Sequence, residues 1–326
     1  MKVLITGSAG LVGSECVKFF LEKGHDVVGM DNNMRAEFFG PEGSVAKNVV
    51  KHPRYRHCHL DIRSSTEFIN VIRPHVIIHA AAQPSHDWAA KDPFTDFKIN
   101  ATGTLILLEA VRHHCPDAVF VYVSTNKVYG DRPNRIPLIE KEERYEGLAL
   151  GIDESMPIDY CMHSLFGVSK LAGDLLAQEY ARYFGLKTGT FRCGCITGSA
   201  HAGVELHGFL SYMAKCKKEN KIYKVYGYKG KQVRDNIHAH DLASAFYEFI
   251  LNPRPGEVYN MGGGRHANIS VLEALRVMKV KHEYIDKPRK GDHQWYISNV
   301  SKFRRDYPNW EYKYNMESII ENLISS

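Results

Sequence analysis

No apolar run in this chain is long enough to span a bilayer, which excludes a helical membrane protein and leaves no membrane partner expected. A secretory leader is not predicted either, because the apolar N-terminal run Lys2–Gly7 lacks a small-residue cleavage pattern. The seven cysteines are odd in number and scattered, which argues against a disulfide framework and fits reduced thiols in a cytoplasm. Cys193-x-Cys195 is too short for a zinc half-site and has no second pair, and neither His57-x-His59 nor His238-x-His240 improves on it. No metal is expected. Basic residues form no dense block and the net charge of +5 is modest, so nucleic acid is not an expected partner. Internal repeats and low-complexity tracts are absent, which sets aside solenoids and disordered chains.

What remains is an ordinary globular composition, 44% hydrophobic and 24% charged over 326 residues, enough to bury one compound domain or two. Its organising stretch is the N-terminus. Lys2–Gly7 is a β-branched apolar run ending in glycine and reads as a buried parallel strand. Gly7, Gly10 and Gly13 follow as G-x-x-G-x-x-G, and Ser14–Lys23 carries apolar residues at helical spacing. Leu11 and Val12 lie between the last two glycines, where the N–H groups and positive end of a helix suit a pyrophosphate. A second strand ends at Asp31-Asn32. A carboxylate there binds both ribose hydroxyls and repels a 2′-phosphate, which predicts NAD rather than NADP.

Residues 34–54 read as a loop and Tyr55–Leu60 as a third strand. Asp61-Ile62, just past it, either lies over the adenine or caps a helix. After helical Ser64–Ile72 and strand His75–His79, the small side chains of Ala80, Ala81 and Ala82 let the backbone approach a dinucleotide. Gln83–Pro93, with Ser85-His86-Asp87-Trp88, is predicted to face the substrate; three adjacent residues do not converge as a triad. Asp96–His113 is expected to be helical, and strand Ala118–Val123 delivers Ser124-Thr125-Asn126 to its tip. Residues 131–158 form a polar connection of the length usually kept for function. Gly167–Tyr183 is a strong helix and Thr188–Arg192 a strand. Beyond Gly198 the alternation breaks into loops, the polar run Gly230–His238 and short helices at 208–217, 241–251 and 271–280. The expectation is an α/β, Rossmann-like doubly wound parallel sheet with a smaller C-terminal substrate-binding lobe. Residues 1–190 form the first and 191–326 the second, with segments around 231–250 able to return to the sheet.

The glycine pattern with Asp31, Asp61-Ile62, the Ala80 region, Ser124-Thr125…Val-Tyr129-Gly130 and Lys170 occurs in an order that resembles the extended short-chain dehydrogenase/reductases. Within them, Ser124-Thr-Asn-Lys-Val-Tyr-Gly-Asp131, Asp153-Glu154-Ser155, His163-Ser164, Gly167-x-Ser-Lys170 and Gly230-Lys-Gln-Val-Arg-Asp235 are similar to the CDP-paratose 2-epimerases. The resemblance implies a tightly held NAD and epimerisation of a nucleotide-diphosphate sugar, with a CDP-sugar favoured. It also implies a homodimer or homotetramer joined through the lysine-bearing helix. Thr125 and Lys170 match two members of the family's Ser/Thr, Tyr-x-x-x-Lys set. Related dehydratases place an Asp-Glu pair after the Ser/Thr, whereas Asn126 and Lys127 stand here, which disfavours loss of water. Gln83, Ser85, His86, Asn126 and His163 are the expected substrate contacts. Arg234 and Arg289, placed in polar loops, are expected at the diphosphate because guanidinium forks fit phosphate oxygens.

The tyrosine position is Phe166, which has no ionisable group. Three readings follow. Phe166 replaces a tyrosine in an otherwise ordinary epimerase; or another group, with Tyr160 first and His163 or Cys195 behind it, relays the proton; or the chain binds nucleotide sugar without turning it over. A nucleotide-sugar oxidoreductase with an external hydride partner is a further alternative.

Overall fold

The computed structural model describes every residue except 202, 206, 207, 288–290 and 326. Seven strands form the main sheet in the order Glu257–Met261, Lys187–Cys193, Val119–Thr125, Val76–His79, Lys2–Thr6, Asp26–Met30 and Tyr55–Cys58. Every neighbouring pair is parallel. Parallel strands covered on both faces must be apolar almost throughout, which is why Val3, Leu4, Ile5, Ile77, Ile78, Phe120 and Val121 are all buried. Helices Leu11–Glu22 and Ala239–Leu251 cover one face through Phe20, Phe246 and Phe249. Thr66–Ile72, Gly103–His114 and Leu165–Phe184 cover the other through Ile69, Leu107, Leu108 and Ala177. The strand order reverses between Lys2–Thr6 and Val76–His79, and the crevice beyond their carboxyl ends is where such sheets bind ligands.

The second lobe has its own core. Helices Phe209–Lys218, Val271–Met278 and Met316–Ile324 meet around Met213, Leu275, Met278 and Ile319. Ser270 caps the middle helix reciprocally with Glu273, a capping box that stops the chain from fraying beside the cleft. Residue 190 lies inside the strand Lys187–Cys193. Glu257–Met261 completes the main sheet against Lys187–Cys193, and Ala239–Leu251 lies on the face of Leu11–Glu22, so the chain returns to the sheet after 190.

Four local expectations are corrected. Gly230–His238 is no loop: Val233–His238 is a fully buried strand, tied to Asn268–Ser270, Trp295–Tyr296 and Cys195–Thr197. Distant segments supply partners to its polar side chains, as when Asp235 accepts the N–H groups of Gly264 and Ser298 through one carboxylate oxygen. Residues 131–158 are structural rather than part of the cleft wall; they hold the hairpin Leu138–Glu140 and Tyr145–Gly147, and Arg144 pins it to Glu273. Residues 34–54 contain the short helix Arg35–Phe39 and supply Arg35, Phe38 and Val45 to the cleft. Helix 96–113 begins earlier, at Pro93 behind the capping Asp92, and opens into a π-type turn at Lys98–Thr102 before Gly103–His114. That turn aims Asn100 at the Gln83 carbonyl and the Ser169 hydroxyl. Among the described residues no helix is long and apolar enough to cross a membrane, and no cluster of metal-ligating side chains occurs.

Candidate active site

Gly7 turns the chain out of its strand at a φ of +68°, and a β-carbon there would stand 2.7 Å from the Ala81 nitrogen. Gly13 is tighter still, for its β-carbon would stand 2.0 Å from the Gly7 carbonyl oxygen. Both obstacles are backbone, so no side-chain rotation relieves them. Gly10 caps Leu11–Glu22 and donates its N–H to Gly7 O at 3.0 Å. The first turn, with Leu11 and Val12, holds no acid and lines the cleft, as an anion site requires.

Asp31 is fixed by two backbone donors, Ala9 N at 3.0 Å and Asn33 N at 2.7 Å. Asn32 donates to Asp61 at 3.0 Å. Asp61 caps the turn Ile62–Ser64 through the Arg63 N–H, and its hydrogen bonds to Arg63 hold its carboxyl below the usual range. Asp61 and Ile62 also line the cleft, so capping and proximity to the cofactor pocket coexist. Ala80, Ala81 and Ala82 form the adjoining wall, and Ala81 N donates to Thr6 Oγ1 at 3.2 Å. Behind it His79 bridges Thr6 at 2.8 Å and Thr104 at 3.0 Å.

The opposite wall carries Thr125, Asn126, Phe166 and Lys170 around a cavity of ≈ 910 Å³. Thr125 Oγ1 accepts the Lys127 N–H at 3.3 Å, which holds the hydroxyl at the strand tip. Ser164 Oγ accepts the Gly167 N–H and starts Leu165–Phe184, placing Phe166 and Lys170 one turn apart. Lys170 is 4% exposed and its Nζ donates to Val123 O at 2.7 Å. Burial lowers its amine to about 8. Phe166 is 7% exposed and its ring meets that of His86 at 4.8 Å between centroids.

Several expected substrate contacts are not in the cleft. Gln83 is fully buried and spends its amide on Ser85 O and Asp96. Ser85 caps the helix His86–Lys91, and the His163 ring is held on Val128 O at 2.7 Å; neither lines the cavity. Tyr160 is 87% exposed at a φ of +50° and outside the cavity, which removes it as a proton relay. His86 and Asn126 do line the cleft. Arg234 lines it as well, from a strand rather than a loop, with its guanidinium 2.5 Å from Asp292. Arg289 lies outside the described residues. Lys127 lines the cleft and donates to Gly291 O at 2.8 Å.

Sequence reasoning missed the polar support beneath this wall. Asp174 takes a hydrogen bond from Ser124 at 2.6 Å and pairs with Arg192, which reaches on to Tyr129. The available signal was Asp174 itself, an acid one turn past Lys170 on an otherwise buried face.

The glycine cradle, the acid-free helix start and the anchored Asp31 together fit a dinucleotide whose ribose hydroxyls are unphosphorylated. A model of the NAD dependent epimerase/dehydratase family matches residues 3–262. The chain is 32% identical to the CDP-paratose 2-epimerase of Salmonella typhi, over 93% of this chain and 92% of that one. It is 30% identical to dTDP-glucose 4,6-dehydratase 1 of Escherichia coli K12, over 89% and 79%. Among solved structures, Pal from Bacillus thuringiensis superposes with a TM-score of 0.84 at 23% identity, over 100% of this chain and 98% of that one. Thermus thermophilus UDP-glucose 4-epimerase in complex with NAD gives 0.80 at 24%, with the same coverage.

Proposed function

Because the chain belongs to the NAD-dependent epimerase/dehydratase family and its cofactor is NAD, we propose that it is a nucleotide-sugar epimerase acting on a CDP-hexose. The observation that carries this reading is the cleft wall at Thr125, which Asn126 and Lys127 follow where the related dehydratases carry their Asp-Glu pair. NAD would lie along Gly7–Gly13, Asp31 and Ala80–Ala82, and it supplies reversible uptake of a hydride from a carbinol carbon. The chain's own groups do the rest. Thr125 offers a hydroxyl to the sugar oxygen, and Lys170 brings a buried amine lowered to about 8 beneath it. Arg234, released from Asp292, offers its fork to the diphosphate.

Self-association through Leu165–Phe184 fits this reading. Leu165, Val168, Leu175 and Tyr183 are exposed along one side of that helix, next to exposed Phe94 and Phe97. A homodimer or homotetramer covering that stripe is proposed.

The test is nicotinamide absorbance of the NAD-loaded protein as CDP-, UDP-, GDP- and dTDP-hexoses are added singly. A transient NADH band with a CDP-hexose, followed by its epimer, is the expected result. Phe166 favours one second reading, a nucleotide-sugar-binding protein without turnover. Tight binding with neither NADH nor product on long incubation would establish it in place of the first.

A further inference from the structure

Residues 34–48 leave the main sheet at the Asp31-Asn32 corner and fold on themselves. Among the described residues, the backbone N–H groups of Ala36, Glu37, Phe38, Gly43, Ser44 and Asn48 all donate to carbonyls of residues 33–45. Asn33 folds the segment back by accepting the Val45 N–H at 2.9 Å and donating to Ser44 Oγ at 3.1 Å. Left-handed φ values at Asn33 (+56°) and Gly40 (+76°) bracket the short helix Arg35–Phe39. Backbone of this kind is tied into no sheet, so it opens without breaking one.

Side chains hold the segment to the rest of the molecule, and they reach both lobes. Phe38 packs on Trp88 of the helix His86–Lys91, with 4.6 Å between ring centroids. Glu42 pairs with Lys215 of the second lobe at 2.5 Å, but its side chain is 69% exposed and such a pair holds weakly. Asn48 is the stronger tie. Its Nδ2 donates to Ala9 O at 2.9 Å and to Ala200 O at 3.2 Å, which uses both amide hydrogens. Ala9 stands between Gly7 and Gly10, and its own N–H holds Asp31 at 3.0 Å. Ala200 lines the cleft just past the strand Cys195–Thr197, which pairs with Val233–His238. One amide therefore joins the glycine cradle to the chain beyond Thr197, and Arg35, Phe38 and Val45 line the cleft beside it.

We propose that residues 34–48 form a strap over the dinucleotide, fastened by Asn48, and that NAD enters and leaves only when the strap lifts. The inference rests on NAD as the cofactor and not on the epimerase reading. Asn48 is a positioning residue, for its bonds run from protein to protein and fasten the strap whether or not the dinucleotide is bound. Its opening therefore limits uptake and release alike, whereas a residue that only touches NAD changes release alone.

The experiment follows NAD exchange in NAD-loaded wild type, Asn48→Ala, Asn48→Asp and Glu42→Gln, with no sugar nucleotide present. Release is read by chasing bound NAD with deuterated NAD and weighing the retained dinucleotide by mass spectrometry. Uptake is read by stopped-flow tryptophan fluorescence after the bound NAD has been removed. Asn48→Ala is expected to release NAD about tenfold or more faster, the effect of two lost hydrogen bonds, and to take it up faster by a similar factor. Asn48→Asp matches it, because a carboxylate opposes the Ala9 and Ala200 carbonyls. Glu42→Gln stays within about twofold of wild type. In wild type, carbodiimide coupling of Glu42 to Lys215, confirmed by peptide mass spectrometry, slows release; the same treatment of Glu42→Gln does not. An unchanged release rate in Asn48→Ala overturns the proposal. So does faster release with unchanged uptake, which makes Asn48 an ordinary part of the cradle. Coupled protein that releases NAD at the uncoupled rate also overturns it, and this arm holds even where the Asn48 variants fail to fold.

Discussion

Arg192 and Asp174 form an ion pair at 2.9 Å under the strand tip that carries Thr125, with side-chain exposures of 6% and 0%. Ser124 donates to the same carboxylate, so one buried network joins that strand to the helix bearing Lys170. Removing one partner strands the other's charge, and the expected cost is about 3–5 kcal/mol. Arg192→Met and Asp174→Leu should each lower the unfolding free energy by that order, read from urea titrations, while the double variant recovers part of the loss. Additive losses in that cycle would show that the two charges are not coupled.

Gly13 admits no side chain, because its β-carbon would meet the Gly7 carbonyl oxygen at 2.0 Å. Gly13→Ala must move one backbone segment off the other, at a cost above about 3 kcal/mol. The purified variant should melt at lower temperature and carry far less NAD, measured by nicotinamide content after denaturation. A variant with wild-type NAD content would mean that the cradle is not the cofactor site.

Asp31 is proposed to set the choice of dinucleotide. Its carboxylate is held by Ala9 N and Asn33 N, so Asp31→Ser loses both the ribose acceptor and part of the loop's anchorage. NAD affinity is expected to fall about tenfold or more, with the NADP-to-NAD preference moving toward NADP. Calorimetric titration with the two dinucleotides separates these effects. An unchanged preference would assign the selectivity elsewhere.

How much of this was legible in the sequence follows from the range of the forces involved. The cradle is local sterics: three glycines between a β-branched strand and a helix leave little choice, and Gly7, Gly13 and Asp31 stand where their spacing puts them. Val233–His238 was not legible because its burial is polar. Arg234 and Asp235 are admitted to the interior by Asp292, Ser298 and Gly264, which no period in the chain announces. Phe166 was evident as a departure from pattern, but its contact with His86 was not. Ser164, hydrogen-bonded to that imidazole, is 78 residues away from it. Residues near His86 in sequence misled for the opposite reason: Gln83 and Ser85 are polar because they brace a helix start.

His79 gives the fold a defined sensitivity to acid. Its ring bridges Thr6 and Thr104 in the core of the sheet, and burial first, then the charge of Lys170, holds its pKa well below the ordinary 6.5. Below that ordinary value the unfolded chain binds a proton that the native ring refuses. Stability is therefore complete above about 6.5 and declines as the pH falls toward the native value, by about 1.4 kcal/mol for each unit separating the two. His293 is shifted in the same direction, by burial and then by Lys127 and Arg234, and it adds to the decline. His79→Gln keeps a donor and an acceptor between the two threonines but cannot titrate. Its urea midpoint should lie below wild type at neutral pH, yet fall less than wild type between neutral and mildly acidic pH. Parallel losses in the two proteins would mean that the acid sensitivity arises at other groups.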